Sequence, residues 1–516
     1  MKYGTALCAM ALACTAVTGC GGGPDAPRAP VEIQGSSAKA NAPAGALTGN
    51  ANASTVSFLG IPYALAPVGG LRWKSPAPAR AWSGSLDATR PAKHCPQENN
   101  PTDVNASEDC LFLNVYSPRS VAEADAKRPV MVWIHGGANA FGAGDEYDPT
   151  PLVERGDVVV VTLNYRLGAL GFLTHPALRA AGGGSGNYGV QDQQLALRWV
   201  RANIAAFGGD PGNVTIFGES AGGLNVTTHL VSPASAGLFH KAIIQSGGYL
   251  LDTPAVAEAD MRAATFAGQL GCDRGDTAAC LRARPVAAIL AAQGTVNTDT
   301  AAYRQMVLDG TVLPESQGAA LAAGRIHKVP VLLGSNANEG NLFFGASTDE
   351  AGYRFAAQWW SYLHGRDAAQ TLAAYPLANY ASPGAAAAAL EGDSDFACPA
   401  RRSALWLSAQ VPTYAYEFDD PASQLNSGHF ADVHYLFDYR QQPGFGIRGP
   451  AASQALAASM QRYWTNFART GDPNGAGLPP WPRYQKEAQE LLRLTPPAPQ
   501  AGTLDFSQRH HCAHWG

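Results

Sequence analysis

The residues best suited to chemistry are Gly218-Glu219-Ser220-Ala221-Gly222, which follow the apolar run Val214-Thr215-Ile216-Phe217 and precede a helix-compatible segment to Leu230. Strand, GxSxG and helix in that order form a nucleophile elbow. The glycines let the chain turn tightly, and the serine hydroxyl is pushed clear of its neighbours. The following helix aims the positive end of its dipole at any negative charge that develops there. With a base beside it, such a serine can take an acyl group. The pentapeptide carries little weight alone in a chain with 56 glycines; the strand before it and the helix after it give it meaning. A second Gly-rich turn, His135-Gly136-Gly137-Ala138, follows the apolar run Val130–Ile134. Such a loop can turn backbone N–H groups toward a carbonyl oxygen, and Ala221 adds another.

These turns need rigid elements behind them. Val130–Ile134, Val158–Leu163, Val214–Phe217, Val329–Leu333 and Thr413–Phe418 are strand-like apolar runs of the kind buried on both faces of a sheet. Helical stretches such as Gln191–Ala205 lie between them. The alternation predicts an α/β fold with a largely parallel sheet. Residues from about 345 to 410, including the Ala-rich stretch Ala385–Leu390, read as a helical insertion where a lid or pocket wall could sit. Trp359, Trp360 and Tyr362 fall inside it, either as packing of the insertion or as substrate contacts.

The chain has 516 residues, 46% of them hydrophobic and 15% charged, as in a folded globular enzyme. A net charge of -5, with no basic run or stripe, gives no sign of nucleic-acid binding. Residues 1–19 read as a signal peptide: Met1-Lys2, then a small and apolar run ending in Val17-Thr18-Gly19-Cys20. That ending resembles a bacterial lipobox, which would place a lipid on Cys20; an ordinary cleaved signal is the alternative. Either reading implies export to a periplasmic or extracellular location. Residues 20–54, rich in Gly, Ala, Pro and Ser, read as a flexible tether that could merge into a weak edge hairpin. Beyond the leader six cysteines remain, an even number suited to an oxidising compartment. Cys95–Cys110 and Cys272–Cys280 are the shortest loops to close, leaving Cys398–Cys512. No CxxC spacing suggests a metal or redox site. His510, His511 and His514 around Cys512 read as a solvent-exposed tail rather than as metal ligands.

Several blocks in one order resemble the type-B carboxylesterases, a family that includes cholinesterases and bacterial esterases. Phe58-Leu59-Gly60-Ile61-Pro62-Tyr63-Ala64 with Leu71-Arg72-Trp73 is similar to the family's N-terminal block. Glu108-Asp109-Cys110-Leu111-Phe112-Leu113-Asn114-Val115 and Phe207–Gly222 match its two signatures. The resemblance implies an α/β-hydrolase fold over residues 55–516, with a large, mostly parallel central sheet and helices on both faces. It further implies carboxylic-ester hydrolysis through an acyl-enzyme, no metal or organic cofactor, a small-molecule ester substrate, and the same three disulfides. Gly137, Ala138 and Ala221 would be the oxyanion donors. Ala138 stands where a third glycine is usual and Asn139 where an aromatic is common, which alters the pocket beside the acyl group. The Cys95–Cys110 loop holds no tryptophan, which argues against choline esters.

In this architecture the chain order is serine, acid, histidine. His429, in Asn426-Ser427-Gly428-His429-Phe430-Ala431-Asp432, is the expected base, and the family pattern of histidine followed three residues later by an acid also falls on His429 and Asp432. His434 is its nearest rival, but lies in an aromatic segment suited to packing. Glu339, in the exit loop of Val329–Leu333, is the expected orienting acid, with Asp309 and Asp395 as fallbacks. Glu219 is expected to be a buried carboxylate supporting the site. An amidase or peptidase on the same fold, and a non-catalytic cell-surface adhesion module, are the competing functions. The second would need a broken triad.

Overall fold

A computed structural model describes Met1 and residues 30–97, 103–123, 127–184, 186–249, 251–294, 305–345, 347–439, 449–503 and 505–516. The expected leader and Cys20 lie outside these. The first strands are Val31–Gln34 (β1), Ser37–Ala42 (β2), Gly45–Ala51 (β3), Thr55–Pro62 (β4), Ser85–Asp87 (β5) and Phe112–Pro118 (β6). Next come Arg128–Ile134 (β7), Tyr147–Asp148 (β8), Val159–Leu163 (β9), Gly209–Glu219 (β10) and Lys241–Gln245 (β11). Val331–Asn336 (β12), Thr413–Phe418 (β13), Asp438–Tyr439 (β14), Leu491–Leu494 (β15) and Gln500–Gly502 (β16) complete the set among the described residues.

Fourteen of them form one sheet in the order β1-β2-β3-β4-β6-β9-β7-β10-β11-β12-β13-β15-β16, with β5 on the edge of β3. The run from β9 to β15 is parallel throughout. Antiparallel pairs flank it on both sides, so the sheet is mixed around a parallel centre. Parallel strands all end on the same rim, and that rim is where loops from distant parts of the chain can meet.

Side chains of the central strands alternate between two cores. On β7, Val130, Val132 and Ile134 enter one core while Met131 and Trp133 enter the other, and all five are fully buried. The helices Tyr188–Asn203 and Ala221–Val231 cover the first face, and Ala451–Thr470 covers the second with Leu456, Met460, Trp464 and Phe467. Trp133 packs within 4.7–5.1 Å of Tyr147, Phe217 and Phe437. Truncating it to alanine would cost about 3–5 kcal/mol. A rim carried by strands this deeply packed is a stiff platform.

Two sequence expectations need correction. The tether assigned to 20–54 gives way from Val31 onward to β1–β3, which pair with one another and join β4. Their buried positions, such as Ala38, Ala40 and Leu47, do alternate, but alanine is too small to register as an apolar period. The tail around Cys512 is also not solvent-exposed as a whole. His510, Cys512 and Trp515 are buried, and His510 is bonded through Nδ1 to Asp393 at 2.6 Å and through Nε2 to Glu417 at 2.7 Å. Three disulfides join Cys95 to Cys110, Cys272 to Cys280 and Cys398 to Cys512. Between 345 and 410 lie the helices Glu350–Leu363, Ala368–Ala374, Pro383–Glu391 and Cys398–Ser408, with a π-helical turn over Gly392–Ala397. Trp360 packs on Phe344 at 5.9 Å, while Trp359 and Tyr362 face outward.

Candidate active site

Ser220 sits between the end of β10 and the helix Ala221–Val231 with φ 55° and ψ -125°. A non-glycine residue at positive φ stores about 1–3 kcal/mol of strain, and it persists only where its surroundings enforce it. Here they do. The Ser220 N–H donates to the Gln245 carbonyl at 2.9 Å, and the Ser220 carbonyl accepts the first turn of the helix from Leu224. Gly218 and Gly222 allow the turn to pass against β7: a Cβ on either would lie 2.5 or 2.0 Å from the Ile134 carbonyl oxygen.

The loop leaving β7 runs alongside the elbow. A Cβ on Gly136 would stand 2.8 Å from the Glu219 carbonyl oxygen and 3.3 Å from Ser220 Cβ. Gly137, Ala138 and Asn139 follow at φ 88°, 54° and 55°, a left-handed run that turns successive peptide units toward the same side. The chain turns back on itself there, with the N–H groups of Ala140 and Phe141 donating to the Gly137 carbonyl. Ala138 and Ala221 line one cavity of about 90 Å³, together with Asn139, Leu224 and Tyr249. Another cavity, of about 310 Å³, lies between Leu333, Tyr416, Tyr484 and Phe506. Among the described residues its walls include none of the elbow or oxyanion-loop residues, so the smaller cavity is the one relevant to Ser220.

His429 and Glu339 meet on this rim from segments that follow β13 and β12. His429 Nδ1 lies 2.6 Å from Glu339 Oε2, and its backbone N–H donates to the Glu339 carbonyl. Glu339 is 1% exposed. Its other oxygen accepts from the Ser246 hydroxyl and from the Asn336 N–H, both at 2.6 Å, so the carboxylate is fixed from three directions. An Nδ1–H donated to Glu339 makes Nε2 the acceptor of a neutral ring, the atom a base uses. The imidazole is packed by Phe396 at 4.6 Å and Phe343 at 5.3 Å.

Glu219 lies on the other side, with Oε1 3.3 Å from His429 Nε2. Burial alone would lower the pKa of His429, but the charges of Glu219 and Glu339 outweigh it and raise the imidazole to about 9. Burial in turn pushes Glu219 up to about 8, opposed mainly by His429. Of the two carboxyls, Glu219 is the one whose charged form burial disfavours, and Glu339 makes the shorter contact to the ring. Asp432 stands back from the ring, accepting from Gln245 Nε2 at 2.8 Å and from the Tyr416 hydroxyl at 2.7 Å.

The rival residues lie elsewhere. His434 packs edge-on against Phe430 at 5.1 Å, and burial lowers it to about 4. Asp309 accepts three backbone N–H groups of its own turn, from Thr311, Val312 and Leu313. Asp395 bonds His364 at 2.9 Å. Ser246 and Phe396 escaped the sequence reading. Ser246 is one of many serines, and Phe396 reaches His429 only because of the π-helical turn.

Known proteins resemble most of the chain. The profile of the Carboxylesterase family matches residues 36–515. Over 491 residues the chain is 36% identical to cocaine esterase of Homo sapiens, covering 86% of this chain and 85% of that protein. It is 36% identical over 458 residues to fumonisin B1 esterase of Sphingopyxis macrogoltabida, covering 84% and 82%. Para-nitrobenzyl esterase of Bacillus subtilis (strain 168) is 35% identical over 472 residues, covering 87% and 93%. A solved PNB esterase superposes with a TM-score of 0.80 at 33% identity, covering 92% of this chain and 99% of that one.

Proposed function

Because the chain belongs to the carboxylesterase family and is a carboxylic-ester hydrolase, we propose that it works through a Ser220–His429–Glu339 triad and an acyl-enzyme. His429 Nε2 takes the Ser220 hydroxyl proton as Oγ bonds to the ester carbonyl carbon. The backbone N–H groups of Gly137, Ala138 and Ala221 hold the resulting oxyanion. The carbon–oxygen bond to the alcohol then breaks, and His429 returns the proton to the departing alcohol. A water molecule, deprotonated by the same nitrogen, attacks the acyl-enzyme and releases the acid. Glu339 keeps the ring oriented and stabilises its cationic form.

The observation that carries this reading is the 2.6 Å contact between His429 and Glu339, from segments 90 residues apart, on the rim that holds the strained elbow. The test is turnover of p-nitrophenyl acetate by Ser220→Ala, with folding checked by circular dichroism. The expected rate falls about 10⁴- to 10⁶-fold; a folded variant that kept its rate would refute the role of Ser220. A matched p-nitroanilide should turn over far more slowly than the ester, and the reverse order would favour an amidase.

We also propose export, with residues 1–19 as leader and a lipid on Cys20. The Val-Thr-Gly-Cys ending supports this, as do three disulfides, which suit an oxidising compartment. Membrane fractionation of Cys20→Ala tests the anchor: the variant should move to the soluble fraction.

A further inference from the structure

The cavity beside the oxyanion loop carries a few polar groups in a mainly apolar wall. It is lined by Ala138 and Ala221, so it opens at the carbonyl of a bound ester under the triad reading. The leaving alcohol must depart within reach of His429 Nε2 to receive its proton. Among the described residues the walls of this cavity include neither His429 nor the two rings packed on it, Phe343 and Phe396. The alcohol therefore leaves on the far side, and the cavity receives the acyl group.

Its volume, about 90 Å³, is room for a small acyl group rather than for a single water. A ligand pocket is mostly apolar, and the few polar groups in its wall set specificity. Ala221, Leu224, Pro254 and Met306 make most of this wall apolar, but Thr253, Gln317 and Asn139 enter it from two hydrogen-bonded polar networks. On one side the Thr253 hydroxyl donates to Gln317 Oε1, and Gln317 Nε2 donates to the Thr228 hydroxyl at 3.0 Å. On the other, Asn139 Oδ1 accepts from Asn225 Nδ2 at 2.9 Å and from the Tyr165 hydroxyl at 3.4 Å. Gln317 and Asn139 are 1% and 3% exposed, so these amides are held rigidly at the wall. Thr253 has given its proton to Gln317, which leaves its oxygen as an acceptor. A hydroxyl on the acyl group can donate to that acceptor, whereas a methyl of the same size covers it without replacing its water. A carboxylate on the acyl group would instead meet Asp252 at the exposed rim of the cavity.

The geometry points to short hydroxyacyl esters as the substrates this pocket selects, with Thr253 and Gln317 as the residues that read the hydroxyl. The inference rests on the triad reading, because Ser220 must hold the acyl group that the pocket contacts.

Isosteric ester pairs test it. Ethyl lactate is compared with ethyl isobutyrate, and ethyl 3-hydroxybutanoate with ethyl isovalerate. Each kcat/KM is divided by the ester's own hydroxide-catalysed rate to remove the activating effect of the hydroxyl. The expected preference for the hydroxy ester is about 10-fold, the size of one well-placed hydrogen bond. It should fall toward unity in Thr253→Val and Gln317→Leu and survive in Thr253→Ser. A wild-type ratio at or below one would overturn the inference, as would a ratio left unchanged by both Thr253→Val and Gln317→Leu. If no ester is turned over in a Ser220-dependent way, the triad reading falls and the inference with it. An enzyme that turns over the alkyl esters through Ser220 yet ignores the hydroxyl refutes only the inference.

Discussion

Two buried histidines in this molecule sit between pairs of carboxyl groups, and only one of them contacts a residue of the nucleophile elbow, Glu219. His429 touches Glu339 at 2.6 Å and Glu219 at 3.3 Å. His510 touches Asp393 at 2.6 Å and Glu417 at 2.7 Å. Both imidazoles are raised to about 9 by carboxylates that outweigh burial. The difference lies in what surrounds the carboxyls. Burial would raise Asp393, but hydrogen bonds from His510, His511 and Tyr375 hold it below its usual value. His510 and Arg509 do the same for Glu417. Both nitrogens of His510 are therefore locked as donors to permanent anions. At His429 the two partners are not alike. Burial pushes Glu219 up rather than down, the contact to it is longer, and the strained serine and its cavity lie on the same rim. A perturbed histidine marks chemistry only where one nitrogen can give up its proton beside a nucleophile.

Exchanging the two residues' fates is the strongest way to break this comparison. His429→Gln should lower kcat for p-nitrophenyl acetate about 10⁴- to 10⁶-fold with little change in melting temperature. His510→Gln should leave kcat/KM within a few-fold of wild type and remove about 3–5 kcal/mol of stability, measured by urea unfolding, because it leaves two buried anions without their cation. If His510→Gln abolished turnover while the fold held, the division into a catalytic and a structural histidine would be wrong. Glu339→Gln comes next, with an expected loss of about 10³- to 10⁴-fold, since the ring loses the carboxylate that orients it and stabilises its cationic form.

Acidity sharpens the comparison further. The folded pKa of His510, about 9, lies above the value near 6.5 of the unfolded chain. Its contribution is therefore complete below pH 6.5 and is lost as pH rises to 9. The stability gap between wild type and His510→Gln should accordingly be widest near pH 6 and close toward pH 9.5. At the active site the sign acts on activity: His429 must lose a proton to serve as base, so kcat/KM should rise with pH, with a midpoint above 6.5. Glu219→Gln removes one of the carboxyls that raise His429 and should move that midpoint down by up to about one pH unit, with at most a tenfold loss at the plateau. A midpoint that stayed put or moved up would show that Glu219 does not act on the ring's charge.

The same contrast explains what could be read in the sequence. Ser220 was legible because an elbow is local: its strand, glycines and helix are contiguous. Glu339 and His429 were legible because each follows its strand and the chain order narrows the choice. Ser246 and Phe396 were not, since only the fold brings them to Glu339 and His429. The clasp around His510 was misread for the same reason. Its partners Asp393 and Glu417 lie more than 90 residues away, and an isolated cluster of histidines beside a cysteine says nothing of what will cover it. In β1–β3 the alternation was present, but alanines at its buried positions concealed it.

The central claim, that Ser220 carries the acyl group with His429 as its base, is tested most directly by rapid-quench mass spectrometry with p-nitrophenyl acetate. The account predicts one acetyl group per chain, on the peptide containing Ser220, forming within the first turnover in wild type and in His510→Gln. It should form at least a thousandfold more slowly in His429→Gln and not at all in Ser220→Ala. An acetyl group on any other residue, or one formed at the wild-type rate without His429, would contradict it.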